Sequence, residues 1–319
     1  MDGHSRGVPP RSHGPVSYLD RLMADLETVN AGYQDLLSRS SIRNIDPNRR
    51  QSNVFVVGAA QWGWAPSDPA LEASRMSLLR QVRDLRTRML LLFPHPTPQV
   101  TRRLTGSFAL LESWSERPSR ARDVPSSINA AEGRLREVIA GLDALRELLP
   151  ADEFAVRLVL DTNALLDCPD IASYTDELGS KYRAHVLPTA LSELDDLKRS
   201  GRTPELRASA QAAVRRLKML RQNGDVRAGA TVAGGVSVVF QHVEPRGEHL
   251  PDWLDLTVGD DRLAAAALLL QSEHPGSAVV VATSDINLQT KLAALGLPYV
   301  EPPEVPEPTP PGSSAARPA

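Results

Sequence analysis

The stretch RLVLDTNALLD, residues 157–167, begins as an aliphatic run and then changes abruptly to polar residues. Leu158, Val159 and Leu160 are typical of a strand that is buried in a sheet. Asp161 follows them directly, so its carboxylate is expected at the rim of that sheet, where a charge removed from water is costly unless it is balanced. The stretch therefore predicts a strand and, beside Asp161, a group that balances its charge.

Strands and helices alternate from residue 154 onwards. Aliphatic runs that predict strands lie at 156–160, 184–187, 236–240, 278–282 and 298–300. Helical patterns lie between them, at 189–199, 204–222, 260–271 and 285–295. This alternation predicts an α/β fold, in which a doubly wound, mostly parallel sheet carries helices on both faces. Ligands bind such sheets outside the carboxyl ends of the strands, which is where Asp161 is expected.

Residues 16–150 have the apolar spacing of helices instead. Four helices are predicted, within 16–37, 69–93, 100–114 and 126–150, and residues 53–68 resemble a strand and a turn. We expect this mainly α-helical region to be an oligomerisation or specificity module that binds a second copy or a partner protein. The ends of the chain, 1–15 and the proline-rich 302–319, are expected to be disordered, which leaves 154–301 as the α/β domain.

Composition narrows the class of protein. Hydrophobic residues make up 41% and charged residues 24% of the chain, as in ordinary globular proteins. The single cysteine, Cys168, excludes an intramolecular disulfide and a cysteine-rich metal site. No apolar run is long enough to cross a membrane, and the first residues lack the hydrophobic core of a secretory signal, so we expect a cytoplasmic chain.

Further acids are expected at the same rim as Asp161, because each follows a predicted strand. Glu193 lies one turn into the helix after the second strand, Asp260 or Asp261 opens the helix after Gly259, and Asp285 opens the last helix. Acids at helix starts also cap free backbone N–H groups, so capping is the alternative for each of them. Four carboxylates at one rim repel one another unless a cation intervenes.

A divalent metal ion is the cation that such a set of acids favours. Mg²⁺ and Mn²⁺ prefer oxygen ligands, and they activate water for hydrolysis of phosphodiesters. Five neighbouring polar side chains are expected to orient the acids, water or substrate: Thr162, Asn163, Thr283, Ser284 and Asn287.

Four segments, LVLDTNALLD, VLPTALSELDDLK, GDDRLAAAALLL and VVVATSDINLQTKLAALGL, follow one another in this order. Together they resemble a PIN domain over roughly residues 154–300. The resemblance implies a metal-dependent nuclease, usually of single-stranded or structured RNA. It implies that four acids are catalytic and hold Mg²⁺ or Mn²⁺: Asp161, Glu193, Asp260 (with Asp261 as the alternative register) and Asp285. Some members have a further acid where this chain has Asn287, so one or two metals remain open.

A basic segment, residues 198–221, follows the helix of Glu193 and carries eight bases against one acid. Polyanions bind to such strips, and arginine matches phosphate geometry well, although a solvated charged face is the alternative. The residues expected to bind RNA are Lys198, Arg199, Arg202, Arg207 and Arg215.

Two other functions remain open at this point. The first is a catalytically inactive PIN-like module that binds RNA or protein. The second is a phosphatase of the haloacid-dehalogenase type, but such enzymes need a second aspartate two residues after the nucleophile, where this chain has Asn163. An endoribonuclease is therefore the primary prediction.

Overall fold

A computed structural model describes residues 15–45, 61–118, 123–246 and 250–304. Most of the two predicted disordered ends, and residues 53–60 of the predicted strand and turn, lie outside these described residues. The chain divides into two compact units, Val16–Glu153 with Gln271–Ser277, and Phe154–Leu270 with the residues from Ala278 onwards. They are called the helical unit and the α/β unit below.

The helical unit contains helices α1 (Tyr18–Ser38), α2 (Pro69–Leu91), α3 (Pro98–Glu116) and α4 (Ile128–Asp143), and a 3-10 turn, Ala144–Leu148, follows α4. Each α-helix begins at a side chain that accepts a backbone N–H of the first turn: Ser17, Asp68, Thr97 and Ser127. Two short strands, β1 (Ile42–Asn44) and β2 (Trp62–Trp64), pair antiparallel. The core is built around Tyr33, Phe108 and Trp114, which are fully buried.

The α/β unit contains six strands: β3 (Val156–Leu160), β4 (Lys181–Val186), β5 (Ala230–Ala233), β6 (Gly235–Phe240), β7 (Ala278–Ala282) and β8 (Tyr299–Val300). Its helices are α5 (Thr162–Asp167), α6 (Thr175–Leu178), α7 (Pro188–Ser200), α8 (Pro204–Leu220), α9 (Gly259–Glu273) and α10 (Ile286–Ala294), with a 3-10 turn at Ile171–Tyr174. The last residues of α9 belong to the helical unit.

The sheet has the order β5-β6-β4-β3-β7-β8. All neighbouring strands are parallel except β5, which pairs antiparallel with β6. The chain runs from β3 to β4 and β6 on one side and then returns to β7 on the other side of β3. The strand order therefore reverses at β3 and β7, which is where such sheets bind ligands. The predicted α/β fold with a mostly parallel sheet is confirmed.

Different helices cover the two faces of the sheet. Successive side chains of a strand point to opposite faces, so neighbouring residues of β3 pack against different helices. Leu158 and Leu160 of β3 join one apolar cluster with residues of α7 and α8, such as Leu194 and Leu217. Val159 joins a second cluster with residues of α9 and α10, including Leu263 and Leu288. The continuous aliphatic run of β3 follows from this burial on both sides.

The composition of the glycine-rich stretch 224–235 is typical of a flexible linker or of a loop that contacts substrate, but the structure differs from this expectation. It contains β5, whose residues pair with Val236–Val238 of β6 across an irregular register between Thr231 and Ala233. The strand was missed because its short sequence, Ala-Thr-Val-Ala, lies among glycines and carries little apolar alternation.

Among the described residues, the helices are all too short or too polar to span a membrane.

The central strand should dominate the stability of the α/β unit. Leu158→Ala removes a side chain with 0% exposure from β3 and is expected to cost about 2–5 kcal/mol in the free energy of unfolding. Met219→Ala, at a side chain of α8 that is 44% exposed, is the control and should stay within about 0.5 kcal/mol of wild type. Urea unfolding of both variants measures this, and equal losses would contradict the assigned core.

Candidate metal centre at the carboxyl ends of the strands

Asp161 lies at the junction of β3 and α5, where it is the N-cap of α5. Its side chain is only 7% exposed. The backbone N–H of Thr162 donates to Oδ1 at 2.7 Å, and the Thr283 hydroxyl donates to Oδ2 at 2.9 Å. Thr283 follows β7 directly, and Leu160 pairs with Ala282, so the register of the two central strands places this hydroxyl beside the carboxylate.

Burial raises the pKa of Asp161 to about 6. The hydrogen bonds from Thr283 and Thr162 lower it, but the negative charges of Glu193 and Asp260 raise it further. The carboxylate is therefore short of positive charge, despite its two donors.

Glu193 reaches the site from the first half of α7. The Thr162 hydroxyl donates to Glu193 Oε2 at 2.7 Å, so Thr162 contacts both acids: Asp161 through its backbone N–H and Glu193 through its hydroxyl. Gly259, the first residue of α9, lies so close that a Cβ placed there would be 2.5 Å from Glu193 Oε1. A side chain at residue 259 would displace this carboxylate.

Asp260 and Asp261 have different environments, although they are neighbours in the first turn of α9. Asp260 is half-buried, and its Oδ2 accepts from the Asn287 side-chain amide at 3.0 Å. Lys291 Nζ lies 3.4 Å from the same oxygen and 2.7 Å from Asp261 Oδ1. Asp261 is buried, and its other oxygen accepts from the backbone N–H of Asp255 at 2.9 Å.

The charges of Lys291 and Asp261 stabilise each other. Burial acts to raise the pKa of Asp261, but Lys291 and the Asp255 N–H outweigh it and hold that pKa below its usual value. The hydrogen bond to Asp261 in turn raises the pKa of Lys291. Asp261 is thus neutralised within the fold, whereas Asp260 is the neighbour whose charge is felt at Asp161.

Asp285 is the N-cap of α10. Its Oδ1 accepts from the backbone N–H groups of Asn287 and Leu288, at 2.7 and 3.3 Å. Its own N–H donates to the Thr283 hydroxyl at 3.1 Å, so Thr283 joins Asp161 to Asp285. In this structure Asp285 has the capping role that was the alternative for each acid, with one carboxylate oxygen left outside that cap.

The remaining predicted side chains lie around these acids. Asn163 is exposed at the second position of α5. The Ser284 hydroxyl donates to Asp167 Oδ2 at 3.1 Å, at the end of the same helix. Asn287 contacts Asp260 as described above.

A divalent cation fits this set of residues by chemistry. Carboxylate oxygens are the ligands that Mg²⁺ and Mn²⁺ prefer, and the raised pKa of Asp161 reflects its burial and, to a smaller extent, the negative charges of Glu193 and Asp260. The acids are not arranged as a finished ligand sphere. Across the described residues, no group of three His, Cys, Asp or Glu side chains is placed to hold a metal ion. Binding would therefore require the carboxylates to turn towards one another.

The basic segment forms the end of α7, the connection to α8 and α8 itself. Arg199, Arg202 and Arg215 are exposed and make no ion pair within the part of the chain that the structure describes. Lys198 lies 3.9 Å from Asp195, and Arg207 donates to the backbone carbonyl of Gly201 at 2.6 Å. Three of the five predicted bases thus present unpaired guanidinium groups to solvent.

A groove of about 580 Å³ lies along α7 and α8. Leu191, Leu217 and Phe240 contribute its apolar floor, and Lys218 and Arg221 lie at its basic edge. Leu191 and Asp195 both line the groove. Glu193 is two positions from each of them, and helical side chains two positions apart point about 200° apart, so Glu193 lies on the opposite side of α7. The groove and the acids therefore flank the same helix.

Two contributors to the site were missing from the prediction. Lys291 was not considered, although it lies four residues after Asn287 and therefore on the same face of α10. Gly259 was treated only as the residue before a helix. Its role depends on a contact with Glu193, 66 positions earlier in the sequence, which no local pattern indicates.

Comparison with known proteins gives one family. A family model described as PIN domain matches residues 158–301, a range that includes all four predicted acids. A comparison with curated proteins gave no match.

The close contact at Gly259 predicts a specific defect. Gly259→Ala should change the free energy of unfolding by no more than about 0.5 kcal/mol, because the group in its way is the end of a flexible side chain. The variant should need about tenfold more Mn²⁺ than wild type for the same rise in unfolding temperature, because Glu193 is displaced. Thermal unfolding at increasing Mn²⁺ measures both quantities. Gly106→Ala, at a site with open space in α3, is the matched control.

The pKa of Asp161 predicts a pH dependence for the metal-free protein. Between about pH 4 and pH 6 the folded state holds a proton that the unfolded state has lost, so stability falls as the pH rises through this range. Above pH 6 the ionised carboxylate lowers the free energy of unfolding by about 3 kcal/mol. Asp161→Asn should therefore be more stable than wild type at pH 7.5, by about 1–3 kcal/mol, with a smaller difference at pH 4.

Chemical unfolding in EDTA at both pH values measures this difference. Asp195→Asn, which removes an exposed carboxylate of α7, is the control and should stay within about 0.5 kcal/mol of wild type. An Asp161→Asn variant that is less stable than wild type at both pH values would show that the carboxylate is held in balance by the protein alone.

Proposed function

We propose that the chain is an endoribonuclease, because residues 158–301 match the model of the PIN domain family, whose members are generally metal-dependent nucleases. It would hydrolyse phosphodiester bonds of single-stranded or structured RNA. The observation that carries the proposal is the burial of Asp161 beside Glu193 and Asp260 where the strand order reverses; burial raises its pKa, and the charges of these two acids raise it further.

Asp161, Glu193, Asp260 and Asp285 are the proposed ligands of Mg²⁺ or Mn²⁺. When bound, such an ion lowers the pKa of a water molecule and stabilises negative charge on the phosphate oxygens. Asp260 is preferred over Asp261, because Asp261 is already paired with Lys291 and with the Asp255 N–H. The outer oxygen of Asp285 remains available for this role while Oδ1 caps α10.

Neighbouring side chains orient the acids. Thr162 holds Glu193, and Thr283 holds Asp161, through hydroxyl donors that leave each carboxylate with a further lone pair for a cation. The amide of Asn287 and the ammonium of Lys291 hold one oxygen of Asp260. The exposed Asn163 is proposed to orient water or a phosphate oxygen at the rim, and Ser284 is proposed to support the turn between Thr283 and Asp285 through its hydrogen bond to Asp167.

The RNA backbone would follow the basic segment. Arg199, Arg202 and Arg215 are proposed to contact phosphates, because their guanidinium groups have no acid partner in the described residues. Lys198 adds charge at the end of α7, and Arg207 holds the loop at Gly201 while keeping further N–H donors.

A second function, binding of RNA without cleavage, is favoured by two observations. Lys291 supplies positive charge to both Asp260 and Asp261, and the described acids do not already form a metal-ligand group. A protein of this kind would retain RNA with no requirement for metal.

Cleavage of labelled RNA separates the two functions. Wild-type protein should cut a mixed-sequence single-stranded RNA in Mn²⁺ or Mg²⁺ and not in EDTA. Asp161→Asn and Glu193→Gln should reduce the cleavage rate about 100-fold or more, because each removes negative charge that would hold the cation. A single-stranded DNA of the same sequence, run in parallel, measures the preference for RNA.

The matched control is Asp195→Asn, which changes an acid two residues from Glu193 on the other side of α7. It should cut as wild type does. Cleavage that is equally fast in Asp161→Asn would exclude the proposed site. RNA that is retained on a gel in EDTA and remains intact in both metals would support the binding function instead.

A further inference from the structure

The helical unit has an open cavity of about 340 Å³ that is lined by three arginines. Arg43 comes from β1, Arg75 from α2 and Arg117 from the end of α3, and Trp64 and Ser67 also contribute to the lining. The described lining residues include no aspartate and no glutamate. A cavity with this lining attracts anions.

Arg117 is held in an uncommon backbone conformation. It is the C-cap of α3, and its φ of 50° lies in the left-handed region, which non-glycine residues rarely adopt. Its guanidinium carbon lies 4.5 Å from the centre of the Trp64 ring. Nη1 donates to the Ser67 hydroxyl at 3.2 Å, and Nη2 donates to the Ser40 hydroxyl. Neutral hydroxyls, and not carboxylates, are thus its partners.

Arg75 brings a second guanidinium to the same hydroxyl. Its Nη1 donates to Ser67 Oγ at 3.1 Å, so one serine hydroxyl accepts from two cationic side chains. Arg75 also donates to the carbonyls of Ser115 and Glu116 and pairs with Glu72. Glu72 therefore balances one charge, and those of Arg117 and Arg43 remain without an ion pair within the described residues.

Two buried N–H donors of residues that line this cavity also lack an acceptor among the described residues. Within the described chain, Arg117 Nε and the Trp64 indole nitrogen are shielded from solvent and form no hydrogen bond. A buried donor without an acceptor is unfavourable, and a ligand that supplies oxygen atoms would remove this cost. Burial, and then the charge of Arg75, lower the pKa of Arg117 to about 10, which shows that its positive charge is under-compensated.

We propose that this cavity is a binding site for a phosphate group. Phosphate has several charged oxygens, so the three arginines and the indole N–H could each donate to the same group from different sides of the cavity. The cavity is larger than one water molecule needs, so the phosphate of a nucleotide or of a nucleic-acid backbone has room to enter. The site is separate from the proposed nuclease centre and does not depend on its activity.

Thermal unfolding of the full chain in metal-free buffer tests the site with inorganic phosphate as the probe, at constant ionic strength set with chloride. The unfolding temperature of wild type should rise with phosphate and saturate. Arg43→Gln and Arg117→Gly should each require about tenfold more phosphate for the same rise, since each removes one charge-assisted donor group. Arg117→Gly is chosen because glycine accepts a positive φ, so the fold is retained.

Arg146→Gln, at an exposed arginine of the same unit that pairs with Asp143, is the control and should respond to phosphate as wild type does. A wild-type protein with no response beyond that to chloride, or an unchanged response in both arginine variants, would overturn the proposal.

The source of the phosphate is distinguished by two further probes, adenosine 5′-monophosphate and a labelled single-stranded RNA, both without metal so that cleavage plays no part. Weaker RNA binding in Arg43→Gln and Arg117→Gly supports a site for backbone phosphate. Loss of the nucleotide response alone supports a site for a free nucleotide. Because these measurements detect binding without metal, they stand whether or not the chain cleaves RNA.

Discussion

The buried carboxylate of Asp161 is the constraint on which the rim of the α/β unit depends. The parallel sheet brings β3 between β4 and β7, and this places Asp161 within reach of donors from its own helix and from the residue after β7. Those two hydrogen bonds do not offset its burial beside two other acids, and its pKa stays high. The fold thus concentrates negative charge at one point, and the described residues around Asp161 do not offset it.

Two neighbouring aspartates at the start of α9 show how one helical turn places a buried, paired carboxylate beside a half-buried one. Side chains one residue apart on a helix point about 100° apart. Asp261 turns inward, where Lys291 and a backbone N–H stabilise it, and it ties the loop before α9 to the helix. Asp260 turns to the rim. Lys291 contacts both acids, so the position of Asp260 is anchored through a residue of a different helix.

The strands β3 and β7, the helices α7, α8 and α9, and the location of Asp161 could be predicted from the sequence, because aliphatic runs and alternation are local signals, whereas the short helices α5 and α6 were not predicted. The strand β5 could not, because its pairing with β6 and not its composition defines it. The contacts of Lys291 and Gly259 depend on how distant segments pack. The cavity of the helical unit was also beyond prediction, since Arg43, Arg75 and Arg117 lie on three separate elements with no shared motif.

The lengths of the outer strands have a consequence for self-association. Within the described chain the sheet ends in β5, with four residues and an irregular register, and in β8, with two. A strand from another molecule could pair with only a few backbone N–H and C=O groups at either edge of the sheet, so continuous sheets between molecules are disfavoured. Copies of this chain that assemble would then do so through side-chain surfaces, which can be altered one residue at a time without disturbing the sheet.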